Sequence, residues 1–177
     1  MKKILVTGGA GYIGSKLSTE LLNYGYKITV IDRLDYSQNS INHLIYHKNF
    51  KLIVGDVREK KLIKSLIKKN DIIIPLAGLV GAPLCEKNKK EAKETNYECI
   101  KYIVKNIGRK KIIYLNTNSG YGIGEKNKYC DESSELKPIS LYGVTKCQSE
   151  KEVIKLKNFV CFRLATVFGY SYRMRTD

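Results

Sequence analysis

The chain has 177 residues, an apolar fraction of 43% and a formal net charge of +15 at pH 7, which predicts one domain with a sizeable core. The charge-free stretch Ile72–Cys85 contains prolines and glycines and is too short to span a bilayer. The apolar run after Met1-Lys2-Lys3 is too short for a secretory signal, so we expect a cytoplasmic protein without membrane association.

The net charge and the cysteines indicate whether the chain binds nucleic acid or a metal ion. Its lysines are scattered over predicted helices and loops, and aromatic residues are not interleaved with them as a base-stacking platform. A solvated lysine-rich surface is therefore favoured over nucleic-acid binding, although the charge keeps an RNA-binding alternative open. Five cysteines without metal-clip spacing predict free thiols and no metal site.

Strand-like and helix-like segments alternate along the chain. Short apolar runs predict six buried strands, at Lys3–Thr7, Lys27–Asp32, Phe50–Val54, Asp71–Pro75, Lys111–Asn116 and Phe159–Leu164. Helical patterns lie near Tyr12–Asn23, Glu59–Lys69, Lys89–Ile107 and Leu141–Lys155, with a weaker one at Ser40–Tyr46 and an aperiodic loop at Asn118–Ile139. This order predicts an α/β fold, a Rossmann-type doubly wound parallel sheet with helices on both faces.

The first predicted strand runs into a glycine-rich turn, Thr7–Gly14. Gly8 permits a sharp turn, Gly11 leaves room for a pyrophosphate, and Gly14 allows the next helix to pack close to the strand. The first N–H groups of that helix are available to an anion. With strand and helix on both sides, the pattern predicts a dinucleotide site; a turn without a ligand is the alternative.

Asp32 ends the second predicted strand. A carboxylate at this position accepts hydrogen bonds from the adenine ribose hydroxyls and repels a 2′-phosphate, which favours NAD over NADP. Arg33 weakens this preference because an arginine can bind that phosphate. The alternative for Asp32 is an ordinary turn residue at the end of a strand.

Two further strand ends carry candidate cofactor contacts. Asp56, in Gly55-Asp56-Val57, is placed to bond the adenine amino group; its alternative is to cap the helix that starts near Glu59. Leu76-Ala77-Gly78 follows the fourth strand, and small residues there let the backbone lie against a cofactor. A simple tight turn is the alternative for that segment.

Tyr142 and Lys146 lie one helical turn apart on a predicted helix, so they share a face. A neighbouring ammonium group favours the phenolate and lowers the pKa of a tyrosine, which makes Tyr142 a candidate general base or acid. Thr117 follows the fifth strand and is placed to orient a substrate hydroxyl; its alternative is to cap local backbone.

Together these motifs resemble the extended short-chain dehydrogenase/reductases, specifically the NAD-dependent epimerase/dehydratase family that acts on nucleotide sugars. The resemblance also covers Asn116–Gly122 and Arg163–Gly169. It implies an NAD-dependent enzyme in which Thr117, Tyr142 and Lys146 are catalytic. It implies that the cofactor contacts are Gly8, Gly11, Tyr12, Ile13, Gly14, Asp32, Asp56, Val57, Leu76, Ala77, Gly78, Asn96, Tyr142 and Lys146.

The chain departs from the family pattern in two places. Pro75 stands near the end of the fourth strand, where the family often has histidine. Asn118 and Ser119 occupy the positions of the Asp and Glu that perform elimination in the family's 4,6-dehydratases. Because neither supplies a carboxyl proton, we expect epimerisation or simple redox chemistry, most directly at C4 of the sugar, rather than dehydration.

Family members are longer and carry a C-terminal lobe that holds the nucleotide sugar. We therefore expect residues 1–177 to be the NAD-binding Rossmann domain without that substrate lobe. We expect apolar surface to be exposed where the lobe packs, and we do not expect residues 1–177 to turn over substrate alone. The resemblance also implies a homodimer through Lys89–Ile107 and Leu141–Lys155. A nucleotide-sugar dehydrogenase or reductase, and a non-catalytic NAD-binding protein, remain alternatives to the epimerase.

Overall fold

The computed structural model describes residues 1–36, 39–124 and 129–174. Its strands form one parallel sheet in the order β3-β2-β1-β4-β5-β6. They are β1 Lys3–Thr7, β2 Lys27–Asp32, β3 Phe50–Val54, β4 Ile72–Pro75, β5 Lys111–Thr117 and β6 Phe159–Leu164. The direction of winding reverses between β1 and β4, which opens a crevice at the carboxyl ends of the strands. The predicted doubly wound Rossmann-type fold is confirmed.

The helices are α1 Tyr12–Asn23, α2 Lys60–Lys69, α3 Ala82–Lys87, α4 Lys89–Lys93, α5 Cys99–Asn106 and α6 Leu141–Val153. The helix predicted near Lys89–Ile107 consists of α4, a π-helical turn at Glu94–Glu98 and α5. The sequence did not predict α3, which begins in the charge-free stretch that Gly81 and Pro83 interrupt. Proline is nevertheless well suited to the first turn of a helix, where Pro83 lies.

Two shorter segments refine the prediction. The weak helix predicted at Ser40–Tyr46 is a 3₁₀ turn over Asn42–Leu44. A second 3₁₀ turn, Asn118–Tyr121, begins the predicted long loop. Residues 125–128 of that loop lie outside the described part of the chain.

Neighbouring residues of β1 point to opposite faces of the sheet, as alternation in a strand requires. Leu5 is buried in one core with Ile63 of α2 and Ile103 of α5. Val6 is buried in a second core with Leu22 of α1. Burying an aliphatic side chain of this size stabilises the fold by about 2 kcal/mol, so both cores hold helices against the sheet.

A buried ion pair fixes α6 against β6. The Arg163 guanidinium donates to Glu150, with Nη2 2.6 Å from Oε1, and the Asn116 amide donates to the same carboxylate. Burial favours a higher pKa for Glu150, but the hydrogen bonds from Arg163 and Asn116 outweigh it and hold the pKa below its usual range. The pair thereby positions α6 beside the carboxyl ends of β5 and β6.

The β6 edge and the segment after it expose aromatic side chains. Phe162 is 49% exposed, Phe168 90% and Tyr170 71%. Apolar surface was expected where a substrate lobe packs, and whether these side chains form that surface stays a prediction. The five cysteines are free, as predicted, and none of the helices within the described ranges is both long and apolar enough to cross a membrane.

Candidate active site

A cleft of about 1050 Å³ runs along the carboxyl ends of the strands. Its volume lies at the upper end of the range for small-molecule sites. Every residue predicted to bind cofactor or to catalyse lines it: Gly8, Gly11, Tyr12, Ile13, Gly14, Asp32, Asp56, Val57, Leu76, Ala77, Gly78, Asn96, Thr117, Tyr142 and Lys146. Parallel strands explain this convergence, because their carboxyl ends meet at one edge of the sheet.

The glycine turn packs too tightly for side chains at two positions. Gly8 has φ +68°, and a Cβ there would lie 2.6 Å from the backbone nitrogen of Ala77. A Cβ at Gly14 would collide with the carbonyl oxygen of Gly8 and lie 2.6 Å from Cα of Gly9. Both glycines therefore set the distance between the turn, helix α1 and the neighbouring strand.

Gly11 differs, because it leaves open space. A Cβ at Gly11 would meet only the carbonyl oxygen of Gly8, at 3.1 Å. Gly11 precedes α1, and no side chain in the described ranges caps that helix end. First-turn N–H groups lack partners within a helix, so this cradle fits the pyrophosphate of a dinucleotide.

Asp32 takes the turn role that the sequence offered as the alternative to ribose binding. Its Oδ2 accepts the N–H of Ala10 at 3.0 Å, and its Oδ1 accepts the N–H of Leu34 at 2.8 Å. The carboxylate is thus a turn residue that ties the glycine loop to the end of β2. Each oxygen retains a second lone pair, which leaves it able to accept from a ribose hydroxyl.

Asp56 closes the turn before α2. Its Oδ1 accepts the backbone N–H of Arg58 at 2.8 Å, and its Oδ2 lies 2.6 Å from Arg58 Nη2. These contacts come before the helix begins at Lys60, so the side chain does not cap the helix itself. Burial opposes ionisation, but the hydrogen bonds from Arg58 prevail and lower the pKa of Asp56.

The segment after β4 is held against β1. The N–H of Leu76 donates to the carbonyl of Thr7 at 3.0 Å, and the N–H of Ala77 donates to the Thr7 hydroxyl at 3.1 Å. Thr7 is 1% exposed, so these bonds lie in the interior. They bring the backbone of Leu76–Gly78 alongside the glycine turn, and both segments line the cleft.

Asn96 positions that segment from the π-helical turn. Its Oδ1 accepts the N–H of Leu79 and its Nδ2 donates to the carbonyl of Leu79, both at 2.9 Å. A Cβ at Gly78 would lie 2.7 Å from this Oδ1, which gives Gly78 a packing role beyond a turn. The Ser149 hydroxyl donates to the Asn96 carbonyl at 2.6 Å. Both polar groups of the Asn96 side chain are therefore engaged by the loop.

Thr117 ends β5 at the cleft. Its Oγ1 accepts the N–H of Ser119 at 3.2 Å, so the capping role suggested by the sequence is present. The hydroxyl proton lies within reach of Ser119 Oγ, 3.2 Å away, and of Asn118 Oδ1, 3.5 Å away. Because these contacts are local and exposed, the hydroxyl remains accessible to a molecule in the cleft.

Lys146 lies one turn after Tyr142 on α6. Its Nζ donates to the carbonyl of Leu115 at 2.6 Å and lies 4.3 Å from the ring centroid of Tyr114. Burial lowers the pKa of Lys146 to about 8. The amine therefore stays mostly protonated at neutral pH, and two of its three donors remain for other partners.

This pKa predicts a pH dependence of stability. Because the pKa falls from 10.5 to about 8 on folding, the unfolded chain binds more protons than the folded chain between these values. Stability therefore rises with pH in this window as the buried amine becomes neutral. We expect the wild type to gain about 2 kcal/mol over Lys146→Met between about pH 7.5 and about pH 10, measured by urea unfolding. Equal pH slopes would contradict the shift.

The segment after β6 forms a cleft wall to which the sequence assigned no contacts. Ser171 is buried, and its hydroxyl donates to the carbonyl of Tyr12 at 2.6 Å. The Tyr12 hydroxyl donates to the carbonyl of Gly169 at 2.6 Å. Val167 and Phe168 line the cleft beside them. Resemblance at Arg163–Gly169 marked this segment, but no local pattern indicated its return to α1.

Comparison with known proteins gives one family match. The sequence model of the NAD-dependent epimerase/dehydratase family matches residues 4–177. The dTDP-D-glucose 4,6-dehydratase of Dictyostelium discoideum is 34% identical over 170 residues, which cover 85% of this chain and 39% of that protein. The UDP-glucose 4-epimerase of Bacillus subtilis is 33% identical over 156 residues, covering 84% of this chain and 46% of that enzyme.

Solved structures agree with the sequence matches. The UDP-glucuronic acid 4-epimerase from Bacillus cereus in complex with NAD superimposes with a TM-score of 0.81 at 29% identity. That match covers 94% of this chain and 57% of the other. The chain thus spans between 39% and 57% of the length of these three relatives.

Proposed function

The chain belongs to the NAD-dependent epimerase/dehydratase family, and on this premise we propose that it acts in a nucleotide-sugar epimerase. The predicted cofactor, NAD, is confirmed by the family match and by a related structure solved with NAD. In the proposed reaction a sugar carbon, C4, is oxidised and then reduced on its other face. One observation carries the proposal: a single cleft holds the glycine cradle, Asp32, Thr117, Tyr142 and Lys146.

We propose the following contacts with NAD. The first-turn amides of α1 at Tyr12 and Ile13 hold the pyrophosphate, and Asp32 accepts from the adenine ribose. Asp56 and Val57 lie at the adenine. Bound NAD supplies the acceptor and donor of a hydride. The backbone of Gly8, Gly11 and Gly14 packs against the cofactor, as does that of Leu76-Ala77-Gly78. Asn96 positions this second segment through its hydrogen bonds to Leu79.

The chain's own residues handle the proton. Tyr142 takes the proton of the sugar hydroxyl as general base and returns it as general acid. Thr117 donates a hydrogen bond to the sugar oxygen. Lys146, held by Leu115 and protonated at neutral pH, favours the phenolate form of Tyr142 and offers further donors to the nicotinamide ribose.

Two residues favour epimerisation over dehydration. Elimination of water needs a carboxyl group to protonate the leaving hydroxyl, and Asn118 and Ser119 stand beside Thr117 instead. Asn118 also lines the cleft. Overall similarity does not separate the two activities, since a dehydratase and an epimerase match at 34% and 33% identity. The proposal of epimerisation therefore rests on the side chains at the site, Asn118 and Ser119.

The test incubates the protein, with any C-terminal continuation that its gene encodes, with NAD⁺ and a panel of nucleotide sugars. A new epimer without net NADH is the expected result. Net NADH would support the alternative, a dehydrogenase or reductase of the same family. NAD binding without any product would overturn the catalytic proposal and leave a binding protein. Polynucleotide binding with steep salt dependence, unaffected by NAD, would support the RNA-binding alternative.

We also propose that the protein forms a homodimer. The family resemblance implies a contact through α4, α5 and α6, which pack against one another. Sedimentation equilibrium tests this proposal, and a monomer at all concentrations would contradict it.

A further inference from the structure

Arg33 is held by carboxylates at the Asp32 end of the cleft. Its Nη1 lies 2.6 Å from Glu91 Oε1 and 3.4 Å from Asp56 Oδ2, and its Nη2 pairs with Asp35. Both terminal nitrogens of the guanidinium are therefore engaged. Such nitrogens are the groups with which an arginine grips a phosphate.

Glu91 reaches this position from a distant part of the chain. It lies on α4, 58 residues from Arg33, and its side chain is 29% exposed. It also lies 3.7 Å from the guanidinium of Arg58. Arg33 is 36% exposed, so salt screens this pair as it screens other surface pairs, and its effect is greatest at low ionic strength.

Arg58, the second arginine here, is engaged as well. Its Nη2 lies 2.6 Å from Asp56, and its Nη1 lies 3.2 Å from Glu94. Two guanidinium groups thus share their surroundings with several carboxylates, although the whole chain carries a charge of +15. The carboxylates that pair with them are Asp35, Asp56, Glu91 and Glu94.

The position of Arg33 gives this network a consequence for the cofactor. An arginine that directly follows the ribose-binding carboxylate is placed to meet a 2′-phosphate. Here both of its terminal nitrogens are engaged by carboxylates, and these carboxylates repel an incoming phosphate. We propose that Glu91, with Asp35, determines cofactor specificity by holding Arg33 in ion pairs that exclude NADP. The inference rests on the proposed function only in requiring that the cleft binds a nicotinamide dinucleotide.

The test measures dissociation constants for NAD⁺ and NADP⁺ by isothermal titration calorimetry, so no turnover is needed. We expect the wild type to prefer NAD⁺ by at least about tenfold. Glu91→Gln keeps the side-chain size and removes the charge. We expect this variant to bind NADP⁺ about fivefold more tightly than the wild type does, with little change in the dissociation constant for NAD⁺. The preference for NAD⁺ over NADP⁺ should therefore fall about fivefold.

Two further variants make the result specific. Glu94→Gln changes the net charge equally but releases Arg58, so its preference should match the wild type. The double variant Glu91→Gln/Arg33→Gln should bind NADP⁺ no more tightly than the wild type does, because it lacks the guanidinium that Glu91→Gln releases. Folding of each variant is checked by circular dichroism.

The outcomes separate the inference from its premise. If Glu91→Gln prefers NAD⁺ over NADP⁺ as strongly as the wild type does, Glu91 does not have the proposed role. The same holds if the double variant still binds NADP⁺ more tightly than the wild type. In both cases, binding of NAD⁺ by the wild type leaves the proposed function standing. A folded wild type that binds neither dinucleotide overturns both.

Discussion

Tyr142→Phe is expected to lower turnover by about a thousandfold, because phenylalanine cannot take or return the proton of the sugar hydroxyl. Cofactor binding should change little, since the ring and the rest of the cleft remain. The measurement is kcat for epimer formation together with the dissociation constant for NAD⁺. A loss of kcat with unchanged NAD⁺ affinity identifies an acid–base role.

Tyr102→Phe is the matched control. Tyr102 lies on α5, outside the residues that line the cleft, and the change likewise removes one phenolic oxygen. Its turnover should equal that of the wild type. Full activity in Tyr142→Phe would contradict the proposed role of Tyr142 as general base and acid.

Gly8→Ala is expected to destabilise the fold by about 4 kcal/mol and to abolish NAD⁺ binding. The new Cβ would lie 2.6 Å and 2.7 Å from backbone atoms of Ala77, at a residue with φ +68°. Backbone held by β1 and β4 cannot move aside as a flexible side chain would, so the collision adds to the cost of the left-handed conformation. Urea unfolding measures the loss.

Gly25→Ala isolates the conformational part of that cost. Gly25 also has a left-handed backbone, φ +80°, but a Cβ there meets nothing within 4 Å. This change should cost only about 1 kcal/mol and leave NAD⁺ binding intact. Equal losses in the two variants would show that the close approach of Ala77 has no energetic weight.

Sequence reasoning was most successful where the governing interactions are local. Apolar runs gave the bounds of β1, β2, β3 and β6 as the structure has them. Glycine spacing placed the turn after β1. Since parallel strands present their carboxyl ends at one edge, the candidates on these segments converge without any knowledge of side-chain contacts.

Contacts between side chains that are far apart in the chain could not be predicted from the sequence. The pairing of Arg33 with Glu91, the clamp of Asn96 on Leu79 and the bond from Ser171 to Tyr12 each join elements far apart in the chain. No periodicity or motif encodes such contacts, because they depend on how packed helices and loops direct individual side chains.

The helix near Lys89–Ile107 shows a related effect. Its apolar periodicity predicts one continuous helix, whereas the structure has a π-helical turn at Glu94–Glu98. The Asn96 carbonyl in this turn accepts from Ser149 of α6. π-Helical turns are frequent at functional sites. Here the turn carries Asn96, whose side chain holds Leu79 at the end of the segment that follows β4.

The most direct test of the epimerase proposal uses a nucleotide sugar labelled with deuterium at C4. If the same hydride leaves and returns within one closed cleft, the C4 epimer keeps the deuterium at C4, and water contributes none. That result, without net NADH, is the one we predict. An epimer that has exchanged its label with water would contradict the account, because proton abstraction from carbon would then replace hydride transfer.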